Sequence, residues 1–461
     1  MKKLLIVIAI LVLAGNALAA DRHVGSGQTY STIGEAVTAA SNSDNIIIHA
    51  GTYAENVDTG GKTGLTFINN TGDAPIVQGR FSVDNNTTID GLKITGWTEA
   101  YHGIDGYQVT GVTVRNCEIY AGGDSGSASG VYFRKSTKIL IDNCIIHAGI
   151  KGVTIVSGDS TDATYANGTI IRNSFIYDNF VDGVNIHGQY FTISGNQIYN
   201  NMDSNFADNH PDGIAFIRAI IPVDGFYGVS FAKISKNKIY NHTQNIFSEN
   251  VTGGEEANEQ EIYITENVIF NASSGTVNGV DMSTFGSRNF SMTNGVNGLY
   301  FYGNTIGHAG GLSIDFEDGK NGTYHFKNNI FVTTGEHISL NVSDMDDFSA
   351  GEFDYNLYDI GSKFIYADGT YYDTLTTFQA AYAMQETHGQ SGTAGINAFP
   401  TPTPTGAGVL CVNNGATLGA PYNTDIIGTS RPQGAAWDIG AYEYYEQGSI
   451  HGITSMGVSK K

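Results

Sequence analysis

The chain of 461 residues carries 45 acidic residues against 23 Lys and Arg, which gives a formal net charge of −22 at pH 7. Nucleic acid is therefore not an expected partner, because phosphate binding depends on clustered cationic side chains. The same charge would repel an anionic glycan unless a metal ion or a local basic patch intervened. The three cysteines, Cys117, Cys144 and Cys411, are too few for a disulfide scaffold and lack the spacing of a metal site.

Residues 1–19 have the pattern of a secretory signal peptide. Two lysines precede an apolar run that is too short to span a bilayer, and Ala17-Leu18-Ala19 supplies the small residues of a cleavage site. No later segment has the length and apolarity of a transmembrane helix. We therefore expect an exported monomer that is secreted, periplasmic or held at the cell surface.

Residues 20–58 are predicted to form an N-terminal cap and the first coil of a solenoid. Thr32-Ile-Gly-Glu35 has the pattern of a capping box and begins a short helix that reaches Ala40. The segments 45–49 and 51–53 then begin the first coil. We expect the helix to cover the open end of the sheets, which would otherwise be an exposed edge.

Residues 59–358 contain a repeat with irregular insertions. Its short β-branched segments are interrupted by Asn or Gly and show no helical periodicity, which is typical of a β-solenoid. One apolar residue recurs at Ile119, Ile146, Ile176, Ile198, Ile239, Ile269, Ile306 and Ile330. Two residues earlier stand Cys117, Cys144, Ser174, Asn196, Asn237, Asn267, Asn304 and Asn328, whose asparagines are predicted to form an internal hydrogen-bonded ladder.

Each coil offers a second strand that starts at a glycine, where a tight bend favours positive φ. Alternate residues should point inward, so that Val184 and Ile186 join the core while Asn185 and His187 face outward. These segments begin at Gly130, Gly152, Gly183, Gly213, Gly279 and Gly311.

Residues 359–445 are predicted to form a separate C-terminal segment, followed by a tail over 446–461. A short helix is expected over 374–383, and the proline-rich stretch 399–406 is expected to be a stiff extended linker. Arg431, Asp438 and Glu443 are interpreted as polar residues that stabilise this cap.

The Asn at the bend, the aliphatic and aromatic stacks and the three-strand coil resemble the pectate-lyase-type parallel β-helix superfamily over roughly residues 25–345. The ending Trp437-Asp-Ile-Gly-Ala-Tyr-Glu443 is similar to the closing motif of many secreted bacterial β-helix proteins. The resemblance implies an all-β, right-handed parallel β-helix. It also implies that the strands after the glycines form a glycan-binding sheet, whose walls would be the insertions 120–129, 157–168, 199–212, 218–232, 248–261 and 283–298.

One constellation stands out on that sheet. Lys151, Asp182 and Asp212 each precede a strand glycine in successive coils, and neighbouring coils lie about 4.8 Å apart. A cation and two carboxylates should therefore form a short column. With His187 and His210 they are the candidate catalytic residues, and Asp182 and Asp212 are the candidate metal ligands. The candidate substrate-binding residues are Tyr132, Arg134, Asn185, Glu249 and Asp281.

Two carboxylates at that separation should raise one pKa, bind a cation or form a salt bridge with Lys151. A raised pKa would suit a retaining glycosidase, whose carboxyl groups lie about 5–5.5 Å apart. A bound Ca²⁺ would suit a uronate lyase, as the resemblance implies, with Lys151, His187 or Arg134 abstracting the proton next to the carboxylate. A salt bridge alone would make the column a surface polar ladder.

The leading hypothesis is a secreted protein acting on an extracellular, uronate-containing polysaccharide, most like a Ca²⁺-assisted lyase. The alternatives are a glycoside hydrolase or epimerase on the same scaffold, and a non-catalytic adhesive β-helix that binds glycan. The Arg-x-Pro-x-x-Arg motif of pectate lyases and the Gly-His-Gly of polygalacturonases are absent from the sequence. Cys117 and Cys144 are predicted to be adjacent, as packed thiols or as a disulfide.

Overall fold

The computed structural model describes most of the chain after residue 18. The described ranges are 19–97, 102–120, 128–157, 167–202, 211–217, 229–248, 259–272, 276–282, 288–292, 296–308, 314–316, 323–333, 340–342, 352–360 and 365–445. Within them, three long sheets of 13 strands each run side by side along one solenoid. Each sheet takes one strand from each successive coil, and the pairing is parallel until the final hairpin.

Sheet A forms the first side of each coil. Its strands are Asp21–Val24, Asn45–Ile48, Thr66–Asn69, Thr88–Asp90, Thr113–Arg115, Leu140–Asp142, Ile170–Arg172, Thr192–Ser194, Lys233–Ser235, Glu259–Thr265, Val296–Tyr302, Thr323–Lys327 and Glu352–Asp354.

Sheet B follows sheet A after a sharp bend. Its strands are Thr52–Tyr53, Ile76–Gln78, Lys93–Thr95, Glu118–Tyr120, Ile145–His147, Phe175–Tyr177, Gln197–Tyr199, Lys238–Tyr240, Val268–Phe270, Thr305–His308, Ile330–Thr333, Leu357–Asp359 and Gln390–Ser391.

Sheet C completes the coil. Its strands are Val57–Asp58, Phe81–Ser82, Ile104–Tyr107, Ser129–Arg134, Lys151–Val156, Asp182–Ile186, Asp212–Phe216, Gln244–Ser248, Arg288–Met292, Ile314–Phe316, Leu340–Val342, Ile365–Ala367 and Thr370–Tyr372. Two small two-stranded sheets lie outside the three: Gly188–Gln189 with Val229–Ser230, and Thr276–Val277 with Val280–Asp281.

The interior is filled by inward side chains that stack from coil to coil. The predicted row is confirmed from Ile119 to Ile306, because each member pairs with the next in sheet B. The last member was wrong by one residue, since Ile306 pairs with Phe331 and not with Ile330. Two adjacent asparagines, Asn328 and Asn329, made both registers compatible with the sequence.

The predicted asparagine ladder lies inside the bend between sheets A and B. In Asn267, the backbone N–H donates to Oδ1 of Asn304 at 2.9 Å, and Nδ2 donates to the carbonyl of Ile234 at 2.9 Å. The same pattern links Asn196, Asn237, Asn267, Asn304, Asn329 and Asn356, which corrects the predicted Asn328 to Asn329. Every amide of this ladder is buried.

The two cysteines of the first coils occupy the same position as the asparagines. Cys117 and Cys144 are buried free thiols, and the Sγ of Cys144 lies 3.6 Å from the carbonyl oxygen of Val114. Their neighbours Glu118 and Ile145 are direct strand partners, so the predicted adjacency is confirmed. The packed-thiol state is the one observed.

A helix closes each end of the interior. Helix α1, Ile33–Ala39, begins with the predicted capping box between Thr32 and Glu35 and buries three apolar residues against the first coil. Helix α2, Leu375–Ala381, starts at its cap Thr374 and places Leu375 and Phe378 in the core. Both predicted helices are confirmed, and no described helix is long and apolar enough to cross a membrane.

The chain after α2 packs along the outside of sheets A and B. The backbone N–H of Ala441 donates to the Thr305 hydroxyl at 2.9 Å, and Phe399 stacks on Phe270 with ring centres 4.8 Å apart. Arg431 is buried and donates to the carbonyls of Asp438 and Gly440 at 2.9 and 2.7 Å. The closing motif therefore holds this segment against the side of the solenoid.

Candidate functional site

The residues at or just before the start of successive sheet C strands form a continuous row, which we call the outer row. It runs through His102, Ser129, Lys151, Asp182, Asp212, Gln244 and Arg288. The glycines place it close to the backbone of the next coil: a Cβ on Gly183 would lie 2.7 Å from the carbonyl oxygen of Gly213. Glycine therefore gives close coil stacking at Gly183, whereas Asn245 and Asn289 occupy the equivalent position in the coils of Gln244 and Arg288.

The centre of the outer row brings together the three residues predicted to form a column. The Nζ of Lys151 lies 3.1 Å from Oδ2 of Asp182. The other oxygen, Oδ1, accepts a hydrogen bond of 3.0 Å from the backbone N–H of Asp212. The predicted adjacency is confirmed, while the chemical roles of these residues stay predictions.

Both carboxylates of the column are buried. Asp182 is 5% exposed and Asp212 is 3% exposed, while the Lys151 side chain keeps 30% of its surface in solvent. Charges taken out of water interact more strongly with each other than surface charges do. The ion pair therefore has one desolvated partner and one partner that still reaches solvent.

The next outward positions on the same strand add two polar groups. Asn185 is buried, and its Oδ1 has no hydrogen-bond partner among the described residues. His187 follows the strand Asp182–Ile186, and its backbone N–H donates to the carbonyl of Ile155 at 2.9 Å. Its imidazole is 3% exposed, and burial lowers its pKa to about 4.

The imidazole of His187 is therefore neutral above about pH 4, and its Nε2 has no hydrogen-bond partner within the described ranges. Buried polar atoms are normally satisfied, and perturbed ionisable groups concentrate at functional sites. The neighbouring Thr154 is satisfied, because its hydroxyl lies 2.8 Å from that of Ser129. Asn185 in the strand of Asp182 and His187 after it therefore both keep unused hydrogen-bonding capacity.

Towards the N-terminus, the predicted substrate-binding residue Tyr132 lies against His102. The two rings stack with centres 4.0 Å apart and planes 5° apart. Nδ1 of His102 accepts the backbone N–H of Ser129 at 2.9 Å, and burial together with the charge of Arg80 lowers the His102 pKa to about 4. Arg134 lies two residues beyond Tyr132 and is half-buried.

Sequence reasoning missed His102 and Ser129. The signal was present, because His102 precedes Gly103 and Ile104 as Asp182 precedes Gly183 and Val184. Pairing of Ile104 with Val131 places His102 and Ser129 in the outer row.

The remaining predicted residues do not join the row in the described structure. His210 and Glu249 lie outside the described residues, as do most of the predicted wall insertions. The placement of Asp281 was wrong: its strand Val280–Asp281 pairs antiparallel with Thr276–Val277, outside sheet C. The member of sheet C in that coil is Arg288–Met292, because an insertion separates it from the glycine-started segment.

The predicted metal ligands, Asp182 and Asp212, stand without a third acidic, His or Cys ligand among the described residues. Among them, no group of three or more His, Cys, Asp or Glu side chains is arranged to hold a metal ion. Asp182 already directs one oxygen at Lys151 and the other at a backbone N–H. Calcium takes six to eight oxygen ligands, so Asp182 and Asp212 alone do not fit it.

Residues 56–218 match the family model described as a right-handed beta helix region. Together with the three sheets of parallel strands, this match shows that the chain has the right-handed parallel β-helix fold. No curated protein sequence matches the chain.

Two solved structures illustrate the likeness. One is XylC in complex with xylose, with a TM-score of 0.50 and 13% identity, covering 92% of this chain and 98% of that chain. The other is a tailspike protein double mutant of the E. coli bacteriophage HK620 in complex with a pentasaccharide, with a TM-score of 0.50 and 11% identity, covering 76% of this chain and 72% of that chain. At these identities the likeness shows the fold alone.

Proposed function

We propose that the protein is a polysaccharide lyase that acts on a uronate-containing glycan at the centre of the outer row. The observation that carries the proposal is the buried strand Asp182–Ile186, which starts at the Lys151–Asp182 ion pair and is followed by His187, whose Nε2 has no hydrogen-bond partner among the described residues. Two structural neighbours were solved with a sugar or an oligosaccharide bound, which agrees with a glycan as the ligand class.

The proposed reaction is a β-elimination. His187 Nε2 accepts the proton from the sugar carbon next to the carboxylate, and the electrons of that C–H bond form the new C=C bond. The bond from the neighbouring ring carbon to the glycosidic oxygen breaks, and this oxygen takes a proton from solvent. A positioned base of this kind accelerates a proton transfer by about 10²- to 10⁴-fold.

Lys151 supplies the positive charge that an acidic protein needs to hold an anionic sugar. Its ammonium group is the solvent-reaching end of the pair, and Asp182 fixes its position from the buried side. The Asp182 carboxylate also accepts the Asp212 N–H, which locks two neighbouring coils in register at this point. We assign Asp182 a positioning role, because both of its oxygens are already engaged.

The test is to incubate the purified protein with polygalacturonate, alginate and xylan and to follow two signals. A lyase produces unsaturated uronates that absorb in the near ultraviolet, while a hydrolase releases reducing ends without that absorbance. Calcium dependence stays a prediction, and a parallel assay in chelator tests it. Neither signal with any substrate would contradict the proposal and favour a non-catalytic glycan-binding role.

His187→Ala is the decisive variant. It should lower kcat/KM at least about 100-fold, and the wild-type kcat/KM should decline on acidification only near pH 4, where the imidazole becomes protonated. The matched control is His147→Ala, whose ring stacks between Tyr120 and Tyr177 on the outside of sheet B. Equal activity in both variants, or an acid limb near pH 6.5, would remove His187 from the mechanism.

A further inference from the structure

A pocket lies on the outer face of sheet A, where the C-terminal segment passes over this sheet. It has a volume of about 500 Å³ and is bordered by the strands Lys233–Ser235 and Glu259–Thr265. Pro421 and Tyr422 of the C-terminal segment form one wall. This volume is in the range of small-ligand sites, and the pocket is on a different sheet from the outer row.

Two aromatic stacks end at this pocket. Tyr263 stacks on Tyr300 with ring centres 4.6 Å apart, and Lys233 occupies the position where the next ring would extend the stack. Tyr190 stacks on Phe231 with ring centres 4.8 Å apart, and Tyr190 is 51% exposed. The terminal rings Phe231 and Tyr263 thus both border the pocket, on neighbouring coils.

The opposite side of the pocket carries a buried acid. Glu266 is 4% exposed, its Oε2 lies 3.7 Å from Nζ of Lys236, and its Oε1 has no hydrogen-bond partner among the described residues. Burial raises its pKa to about 7, so near neutral pH it can donate or accept a hydrogen bond. Lys236 also donates to the Thr424 hydroxyl at 2.5 Å, which ties the pocket to the C-terminal segment.

We propose that this pocket binds a pyranose unit of a glycan chain. The Phe231 and Tyr263 rings offer an apolar wall for the C–H face of a sugar ring, with Nζ of Lys233 over the Tyr263 ring at 6.0 Å from its centre. Glu266 and Lys236 offer hydrogen bonds to the hydroxyl or carboxylate groups of the sugar. Three coils span about 10 Å along the solenoid, which accommodates one sugar ring and its linkages. The choice of ligand class rests on the proposed function, whereas the site itself does not.

The pocket would hold the polysaccharide away from the reaction centre. Its wall comes from Pro421 and Tyr422, and the edge of the Tyr422 ring faces Tyr302 with centres 5.4 Å apart. The C-terminal segment would therefore act as part of a binding site as well as a cover for the solenoid.

The test is calorimetric titration with hexasaccharides of galacturonate, of mannuronate and of xylose. All proteins carry His187→Ala, so that the hexasaccharide is consumed at least about 100-fold more slowly during the titration. Adding the substitution Tyr263→Ala should raise the Kd for the bound hexasaccharide at least about tenfold, because it removes the Tyr263 ring from the wall of the pocket. Tyr422→Ala, which changes the opposite wall, should weaken it in the same direction.

The matched control is Tyr177→Ala, which also removes one tyrosine ring from an outward-facing stack, but on sheet B. There the ring centres of Tyr177 and Tyr199 lie 5.0 Å apart. An unchanged Kd in Tyr263→Ala, an equal loss in the control, or no heat with any hexasaccharide would overturn the proposal. Tyr263-dependent binding without wild-type turnover would count against the lyase but support the pocket. Turnover without such binding would count against the pocket alone.

Discussion

This solenoid has two polar rows, the asparagine ladder inside and the outer row outside. Both arise because equivalent residues stack from coil to coil, but they differ in how many of their polar atoms have hydrogen-bond partners. In the ladder, Asn237, Asn267 and Asn304 each donate to a neighbouring carbonyl and to the next amide oxygen. Beyond the outer-row residue Asp182 on the same chain segment, Oδ1 of Asn185 and Nε2 of His187 have no hydrogen-bond partner in the described structure.

This difference separates polar groups that stabilise the fold from polar groups that remain available to a ligand. Burying a polar group costs free energy unless a hydrogen bond replaces the lost water. The ladder meets that condition at every rung, so its hydrogen bonds are consumed by the fold. The strand of Asp182 meets it only in part, so hydrogen-bonding capacity is left for a ligand.

The largest expected effect is on activity, through Asp212→Asn. This change keeps the shape of a buried outer-row residue and removes a carboxylate charge one coil away from the Lys151–Asp182 ion pair that the proposed reaction uses, so kcat/KM for the cleaved polysaccharide should fall at least about 100-fold. The melting temperature should change by no more than about 2 °C. Steady-state kinetics and thermal unfolding of the same preparation measure both.

The control for Asp212→Asn is Asp142→Asn. Asp142 lies on the outer face of sheet A and pairs with Arg172 at 2.7 Å, so it is also a carboxylate bonded to a neighbouring coil. Its replacement should leave turnover unchanged. If Asp212→Asn turned over substrate at the wild-type rate, the outer row would be a structural ladder like the one inside.

The next effect is on stability, through Asn267→Ala. The variant loses the two hydrogen bonds that Nδ2 of Asn267 donates, to the carbonyl of Ile234 and to Oδ1 of Asn304, and leaves the Asn237 N–H without its acceptor. Unfolding should become easier by about 1–3 kcal/mol, the cost of leaving buried polar groups unpaired. Chemical denaturation measures this free energy.

Gln197→Ala is the control for Asn267→Ala, because Gln197 is half-buried on the outer face of sheet B, next to the ladder residue Asn196. It should change the free energy of unfolding by no more than about 0.5 kcal/mol. An equal midpoint for Asn267→Ala and wild type would show that the ladder contributes nothing to stability.

Much of this architecture could be predicted from the sequence, because one apolar residue and one polar residue recur at fixed positions of each coil. The prediction was wrong where the pattern had two solutions, as at Asn328 and Asn329, and where an insertion imitated a strand, as at Gly279. The column of Lys151, Asp182 and Asp212 followed from the same register.

The state of the candidate sites could not be predicted in the same way. Burial of Asp182 and His187 depends on contacts between distant parts of the chain, and so does the pKa of His187. The pocket at Tyr263 was missed because its wall, at Tyr422, comes from a segment with no periodic relation to the coils. Local repeats therefore locate the residues, while long-range packing decides their chemistry.

The smallest expected effect concerns the end of the asparagine ladder, where Glu386 replaces an amide. Its Oε1 accepts from Nδ2 of Asn356 at 2.7 Å and from the hydroxyl of Tyr358. Burial raises the pKa of Glu386 to about 7 from its ordinary value of 4.5. The folded protein therefore holds this proton at pH values where the unfolded chain has released it.

The sign of the pH dependence follows from that difference. A carboxyl group whose folded pKa is raised contributes stability that is fully present below about pH 4.5 and is lost as the pH rises through about 7. Glu386→Gln keeps an acceptor for Asn356 and Tyr358 but cannot ionise, so the fall in melting temperature between pH 5 and pH 8 should shrink by about 2 °C or more.

Glu266 and Glu443, whose pKa values burial also raises to about 7, should still cause part of this fall in the variant. Glu352→Gln, at an exposed carboxylate paired with Lys327, should leave the fall unchanged. A Glu386→Gln curve parallel to that of the wild type would mean that Glu386 is already ionised in the folded protein, and the ladder would then end on a buried charge.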